Sequence, residues 1–288
     1  MPDNTPAIVS TDWLNDHLKA PDIRIVDASW HMPSPHMKSP RQAYNDYKEA
    51  HIPGAVFFDI DEICDLDSPL PHMMPSMEKM SSRMRKLGLG DGNRVIIYDN
   101  SDVRSAARVW FMLKAFGHWD VAILDGGFQK WKNERKAIED IPPIPRTRHF
   151  TARFNNTRVR NLGQMMRNLE QAKEQVVDAR AAGRFQGTDP EPRAGMKSGA
   201  IPHSYNVFFR NLLNAHDGTF KSPDDIRALF EAAGVDLKKP IVTSCGSGIT
   251  ASVLMLGLYL IGHKENALYD GSWSEWGSHP DTPVSNNS

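Results

Sequence analysis

At 288 residues the chain has room for about two domains of ordinary size, each able to bury its own core. Its composition, 40% hydrophobic and 24% charged, is that of a globular protein, and a net charge of -1 provides no global attraction to nucleic acid or anionic membrane. No apolar run approaches the roughly 18 residues of a membrane span, and the start MPDNTPAIVS has neither an apolar leader core nor an Arg-rich amphipathic pattern. Two cysteines, Cys64 and Cys245, are too few for a disulfide framework, so free thiols in a reducing cytoplasm are expected.

In chain order, the first half reads RIVDAS (24–29), HIPGAVFF (51–58), RVIIYDN (94–100) and VAILDGGFQKW (121–131). Between the last two lies a helical pattern at 104–116. A passage with Pro142, Pro143 and Pro145 follows, then a polar, Arg-rich stretch with little periodicity. The second half then reads VVDARA (176–181), AIPHSYNVFF (200–209), PIVTSCG (240–246) and NALYDGSWSEW (266–276), with a helical pattern at 250–261. Four correspondences in one order make an internal repeat of domain size. Short Val/Ile-rich runs alternating with helices predict an α/β fold, a parallel sheet flanked by helices in each half. The expected division is a first domain over 1–140, a linker over 141–160 and a second domain over 161–288. Pro-rich stretches at 32–40, 68–75 and 189–193 read as long loops, and the tail HPDTPVSNNS has no pattern that would order it.

The run IVTSCGSGIT carries the chemistry. A β-branched strand ends at Cys245, small residues follow, and an apolar helix begins, so the thiol sits on a strand-loop-helix junction. Successive N–H groups of such a loop converge on an anion, and the helix N-terminus adds roughly half a positive charge. The repeat places Asp99 opposite Cys245. The first half therefore lacks a nucleophile and brings acid where an anion cradle needs none, so it is expected to be non-catalytic.

Six positions after Cys245 stands Ala251, where a phosphatase loop needs Arg, and three positions after it stands Gly248, where a dithiol motif needs Cys. No Cys or His lies at zinc-ligand spacing, so no metal site is expected. A single thiolate that accepts a group and passes it on remains, beside the plain alternative of a buried, inert cysteine.

The tandem repeat, the HIPGA stretch, the DGG and DGS turns and the CGSGIT loop together resemble the two-domain rhodanese-type sulfurtransferases, over nearly the whole chain. The loop is similar to the CGSGVT of the family's mercaptopyruvate branch, not the CRKGVT of its thiosulfate branch. Ile249 in place of Val adds one methylene. The resemblance implies twin rhodanese domains, an active site between them, no cofactor and a Cys245 persulfide intermediate. The expected substrate is 3-mercaptopyruvate, and the expected sulfur acceptor is cyanide or a dithiol of the thioredoxin type. A monomer is expected. Charge supports the branch independently: Gly246 and Ser247 are neutral where a small dianion such as thiosulfate would be served by Arg and Lys.

By the same resemblance, Arg184 and Arg193 bind the substrate, against the base-rate reading of solvated surface arginines. Backbone from Gly246, Gly248, Ile249 and Thr250 forms the cradle. Asp61, His72 and Ser247 match a relay of acid, histidine and hydroxyl, against a capping Asp and a loop His; Asp59 and Asp65 blur the choice of acid. Cys64 reads as structural. The pairs Phe128/Trp131 and Trp273/Trp276 read as core, and Met73, Met74, Met77 and Met80 as gap-filling or surface-lining. The sequence does not decide whether His203, which replaces Gly54 of the first half, faces the site or solvent. A thiosulfate enzyme and a non-catalytic sulfur-carrier scaffold are the alternative functions.

Overall fold

The computed structural model describes residues 6–33 and 42–285. The first sheet takes β1 (Ile8–Val9), β2 (Ile23–Asp27), β3 (Val56–Phe57), β4 (Arg94–Tyr98) and β5 (Val121–Leu124), all parallel, in the order β1-β5-β4-β2-β3. Its helices are α1 (Thr11–His17), α2 (Gln42–Glu49), α3 (Met77–Lys86), α4 (Ala106–Ala115) and α5 (Gly127–Asn133). The second sheet repeats the plan with β6 (Val159–Arg160), β7 (Gln175–Asp178), β8 (Tyr205–Asn206), β9 (Ile241–Ser244) and β10 (Asn266–Tyr269), ordered β6-β10-β9-β7-β8. Its helices are α6 (Leu162–Gln171), α7 (Ala182–Gln186), α8 (Pro223–Ala232), α9 (Ala251–Leu260) and α10 (Ser272–Trp276). The repeat read in the sequence is therefore a repeat of topology, strand for strand, and the α/β expectation holds in both halves. No helix among the described residues is long and apolar enough to cross a membrane.

Burial follows the residue pattern. The central strands β4 and β9 are buried along almost their whole length, as parallel strands covered on both faces must be. Helix α9, ASVLMLGLYL, is apolar on every side and buried from Ala251 to Leu258. The tryptophans read as core are core: Trp131, Trp273 and Trp276 show no exposed surface. Each indole N–H reaches a carbonyl, of Ala137, Lys197 and Pro283 respectively, which removes the cost of burying it. Met80 is buried and Met77 is 46% exposed, so this methionine run serves no single purpose.

The chain separates into two compact units, and neither is continuous. The first comprises Met1–Asp65, Pro75–Phe154 and Asn214–Phe220; the second comprises Leu66–Met74, Asn155–Leu213 and Lys221–Ser288. Each unit thus incorporates a segment that the sequence places in the opposite half, and holds it by the same device. In the first, Asp125 of the DGG turn accepts the N–H of Phe220 at 2.8 Å. In the second, Asp270 of the DGS turn accepts the N–H of Met74 at 2.7 Å.

The tail corrects the expectation that nothing orders it. Lys197 Nζ donates to the carbonyls of His279, Pro280 and Thr282, the Thr282 side chain is buried, and Ser285 bridges to Ala200. These bonds are to main-chain atoms, which a side-chain pattern does not reveal. The Pro-rich stretch at 32–40 falls largely outside the described residues, as does the tail beyond Ser285.

One buried charge distinguishes the two sheets. The last residues of β2 and β7 are Asp27 and Asp178, and each accepts the N–H two residues on, of Ser29 and Arg180. Asp178 also receives the Arg180 guanidinium, whereas Ser29 offers Asp27 only a neutral partner. Burial pushes the Asp27 carboxyl up to about 6, with the Ser29 hydrogen bonds opposing and Asp99 adding to the rise. A folded-state value above the unfolded one means stability that is complete below about pH 4 and lost as pH rises through 6. Asp27→Asn should therefore stabilise the protein by about 2 kcal/mol at pH 7.5, and the gain should vanish at pH 4. Denaturant unfolding of both proteins at the two pH values checks this; an equal difference at both would remove Asp27 as the cause.

Candidate active site

Strand β9 ends at Ser244 and the next residue, Cys245, is 1% exposed. The loop to α9 turns through Gly248 at φ +81°, a left-handed conformation that costs a residue with a β-carbon about 1 kcal/mol or more. The turn into α10 fixes the loop from below. The Trp273 N–H donates to the Cys245 carbonyl at 2.9 Å, and the Ser274 N–H and hydroxyl both donate to the Gly246 carbonyl, at 2.8 and 2.6 Å. The Cys245 N–H in turn donates to the Ser272 hydroxyl at 3.2 Å. With its carbonyls so engaged, the loop presents the N–H groups of Ser247, Gly248, Ile249 and Thr250 at the start of α9, and none finds an acceptor among the described residues. Converging donors at a helix N-terminus are an anion cradle.

The first unit shows what fills that cradle when no cysteine is present. Phe128 N–H donates to the Asp99 carbonyl at 2.9 Å, the counterpart of the bond from Trp273 to Cys245, so Asp99 and Cys245 are equivalent in space as well as in sequence. The Asp99 carboxylate accepts from the Ser101 N–H and hydroxyl on one oxygen and from the Ala106 N–H on the other. The loop of the first unit thus carries its own anion, in the place where Cys245 stands in the second.

His72 belongs to the second unit, and its Nδ1 lies 3.0 Å from the Ser247 hydroxyl, both side chains being buried. Its backbone sits at φ +62°, in the left-handed region that residues with a β-carbon adopt uncommonly, histidine more often than most. Asp61 belongs to the first unit, where its carboxylate accepts the Trp30 indole N–H at 2.9 and 3.0 Å. Asp59 caps its own turn through the N–H groups of Asp61 and Glu62. The buried Cys64 donates its thiol hydrogen to the Asp61 carbonyl, in keeping with a structural role.

Arg184 on α7 and Arg193 on the following loop converge on the cysteine loop. A β-carbon on Gly246 would stand 3.4 Å from Arg184 Nη2 and 3.9 Å from Arg193 Nη1, in ordinary contact with both, so a side chain longer than alanine there competes with the guanidinium groups for space. Arg193 Nη1 also donates to the Ser274 hydroxyl at 3.4 Å. Glu191, buried between arginines, accepts from Arg184 Nη2 at 2.5 Å and from Arg180 Nη1 at 2.7 Å. Arg180 completes its bonding with Asp178 and the Gly199 carbonyl and stacks over the Trp273 ring at 4.2 Å. Burial pulls the Arg180 pKa down, and Asp178 and Glu191 outweigh it, holding the guanidinium above its ordinary range. Arg180, Arg184, Asp178 and Glu191 thus form one ion-pair cluster next to the cysteine loop, which Arg193 also approaches.

Sequence reasoning missed Arg180, Glu191, Ser272 and Ser274. Ser272 and Ser274 lie in the repeated DGSWS turn, and the difference from DGGFQ was the available signal; Glu191 lies in a Pro-rich loop with no periodicity to mark it. Ile249 is buried and Thr250 ends the loop at the helix start without a side-chain cap. His203 occupies an exposed turn at φ +62°, as Gly54 does at φ +75°, which answers the open question in favour of solvent.

Both halves match the rhodanese-like domain family, over residues 10–134 and 161–279. The 3-mercaptopyruvate sulfurtransferase of Mus musculus is 44% identical over 276 residues, covering 94% of this chain and 91% of that protein. The thiosulfate sulfurtransferase of Bos taurus is 42% identical over 277 residues, with the same coverage of 94% and 91%. Among solved structures, SseA from Escherichia coli, described as a 3-mercaptopyruvate sulfotransferase, aligns with a TM-score of 0.83 at 38% identity, over 93% of this chain and 99% of that one. With two matched domains and relatives of this identity along nearly its full length, the chain belongs to the rhodanese-like sulfurtransferase family.

Proposed function

We propose that this chain transfers the sulfur of 3-mercaptopyruvate through a persulfide on Cys245. The observation that carries the reading is the convergence of Arg184 and Arg193 on a neutral, glycine-bearing cysteine loop. Two planar guanidinium groups suit a carboxylate with an adjacent keto oxygen, and that pair lies several bonds from the sulfur. The thiosulfate reading, which relatives of similar identity keep open, asks for cationic side chains at 246 and 247. Glycine at 246 leaves the space that Arg184 and Arg193 occupy.

In the reaction the Cys245 thiolate attacks the substrate sulfur, the S–S bond forms and the carbon–sulfur bond breaks. The electron pair leaves with pyruvate as its enolate. The proton of the substrate thiol passes by way of Ser247 and His72 and returns to the methylene carbon. Asp61 enters as the acid of this relay by its sequence context. The persulfide anion is stabilised by the N–H groups of Gly246 to Thr250 and by the start of α9. An acceptor thiolate or cyanide then takes the outer sulfur and releases the Cys245 thiolate; a dithiol of the thioredoxin type fits the reducing cytoplasm in which a monomer with two free thiols would work. The reaction so written draws on no metal or organic cofactor.

Mass spectrometry after incubation with 3-mercaptopyruvate should show one added sulfur on Cys245 and none on a Cys245→Ser variant, which should not turn over; added sulfur elsewhere in an active variant would overturn the assignment. Ser247→Ala should lower kcat about a hundredfold with KM little changed, and an unchanged kcat would remove Ser247 from the proton path. Glu191→Gln, which keeps the shape but removes the charge that holds Arg184, should raise KM for 3-mercaptopyruvate roughly tenfold, about 1.4 kcal/mol. An unchanged KM would show that Arg184 is positioned by other contacts.

A further inference from the structure

The first unit contains a cavity of about 310 Å³ that the sulfur-transfer reading does not use. It opens at the start of β2, beside Ile23, Arg24 and Ile25, and is bounded by the turn before β3 at Pro53 and Gly54. β2 and β4 are parallel, so this is the opposite end of the sheet from the Asp99 loop, which follows the end of β4. The cavity is therefore not an extension of the vestigial loop. Its volume lies at the lower end of the range for small-molecule sites.

Its walls are apolar and its polar groups are cations. Leu18, Ile23, Val56, Leu87 and Pro145 supply hydrocarbon surface, while Lys19, Arg24, Arg146 and Arg148 supply positive charge; no Asp or Glu lines it. Arg24 Nη1 donates to the carbonyls of Pro21 and Ile23, and no ion pair of Lys19, Arg24, Arg146 or Arg148 occurs among the described residues. Burial lowers the Arg24 pKa and the nearby charge of Arg148 lowers it further, with Asp22 opposing. The C-terminal ends of α1 and α3 contribute roughly half a negative charge each, well short of four full positive ones.

The wall that carries Arg146 and Arg148 is built rather than incidental. Pro142, Pro143 and Pro145 fix φ at three positions of the segment, and Arg146 and Arg148 just beyond them both line the cavity. The segment lies close against the turn between α3 and β4. A β-carbon on Gly88 would meet the Arg146 carbonyl at 3.0 Å, and one on Gly90 would meet Arg148 Cβ at 3.1 Å. Asp91 pins the far end, its N–H donating to the His149 carbonyl and its carboxylate accepting from Thr151.

We infer that this cavity binds an amphipathic carboxylate, an aliphatic or aromatic acid whose hydrocarbon body fills the apolar interior and whose carboxylate meets Arg24 and Arg148 at the mouth. Neither element suffices by itself. A bare anion leaves the interior unfilled, and a neutral hydrocarbon leaves like charges facing each other.

The test uses the full-length protein and isothermal titration with octanoate, octanol and inorganic phosphate. Octanoate is expected to bind with one site per chain, at least tenfold more tightly than octanol or phosphate. Arg146→Gln/Arg148→Gln, two substitutions on an exposed segment that leave the core untouched, should weaken octanoate at least tenfold while preserving sulfurtransferase activity. Ala20→Trp, which fills the cavity and keeps its charges, should abolish binding. Equal binding of octanol would reduce the site to an apolar void and equal binding of phosphate to a bare cationic patch. No octanoate binding, or binding indifferent to both variants, would overturn the assignment outright.

Discussion

A strand that ends in a tight loop before a helix leaves several amide N–H groups pointing inward, and a folded protein must give them an acceptor. Much of this molecule is arranged around how that demand is met. In the first unit Asp99 meets it permanently with its own carboxylate. In the second unit the equivalent residue is Cys245, and the N–H groups of Ser247 to Thr250 find no acceptor among the described residues. One side chain at one position thus separates a loop whose donors are filled from one whose donors are open, on topologies that are otherwise the same.

The rest of the second unit keeps those donors in place. Gly246 offers its carbonyl to Ser274 twice, and Ser274 also accepts from Arg193, so the loop and the Arg193 guanidinium share one anchoring side chain. Arg184 is held through Glu191 to Arg180, and Arg180 lies on Trp273, whose N–H binds the Cys245 carbonyl. The circuit closes on the cysteine it serves. Networks of this kind rigidify a site when every member is satisfied, and the buried Arg180 is satisfied on all three of its nitrogens.

Much of this was legible in the sequence because a repeat supplies its own control. RVIIYDN beside PIVTSCG identified both the equivalent strands and the residue at which they diverge. Period and composition were enough for the sheets, since β4 is a near-continuous apolar run and β9 is short, β-branched and bounded by Pro240 and the glycine loop. What escaped has a common cause. The tail is ordered by its carbonyls through Lys197, and Glu191 acts from a loop whose prolines dominate its pattern; neither leaves a periodic trace. The exchange of 66–74 and 214–220 escaped for a related reason. Asp125 and Asp270 were visible as repeated turn residues, but their partners lie 95 and 196 positions away along the chain.

That exchange bears on how the protein is made. A ribosome that has released everything up to Phe154 has not yet supplied residues 214–220, so the first unit cannot close its own surface at Asp125 until much of the second has been synthesised. Meanwhile 66–74 must wait, exposed, for a DGS turn that arrives near the end of translation. The two halves of the sequence therefore do not coincide with the two compact units. A truncation after the first repeat removes part of the first domain, and expression of either half by itself yields an incomplete one.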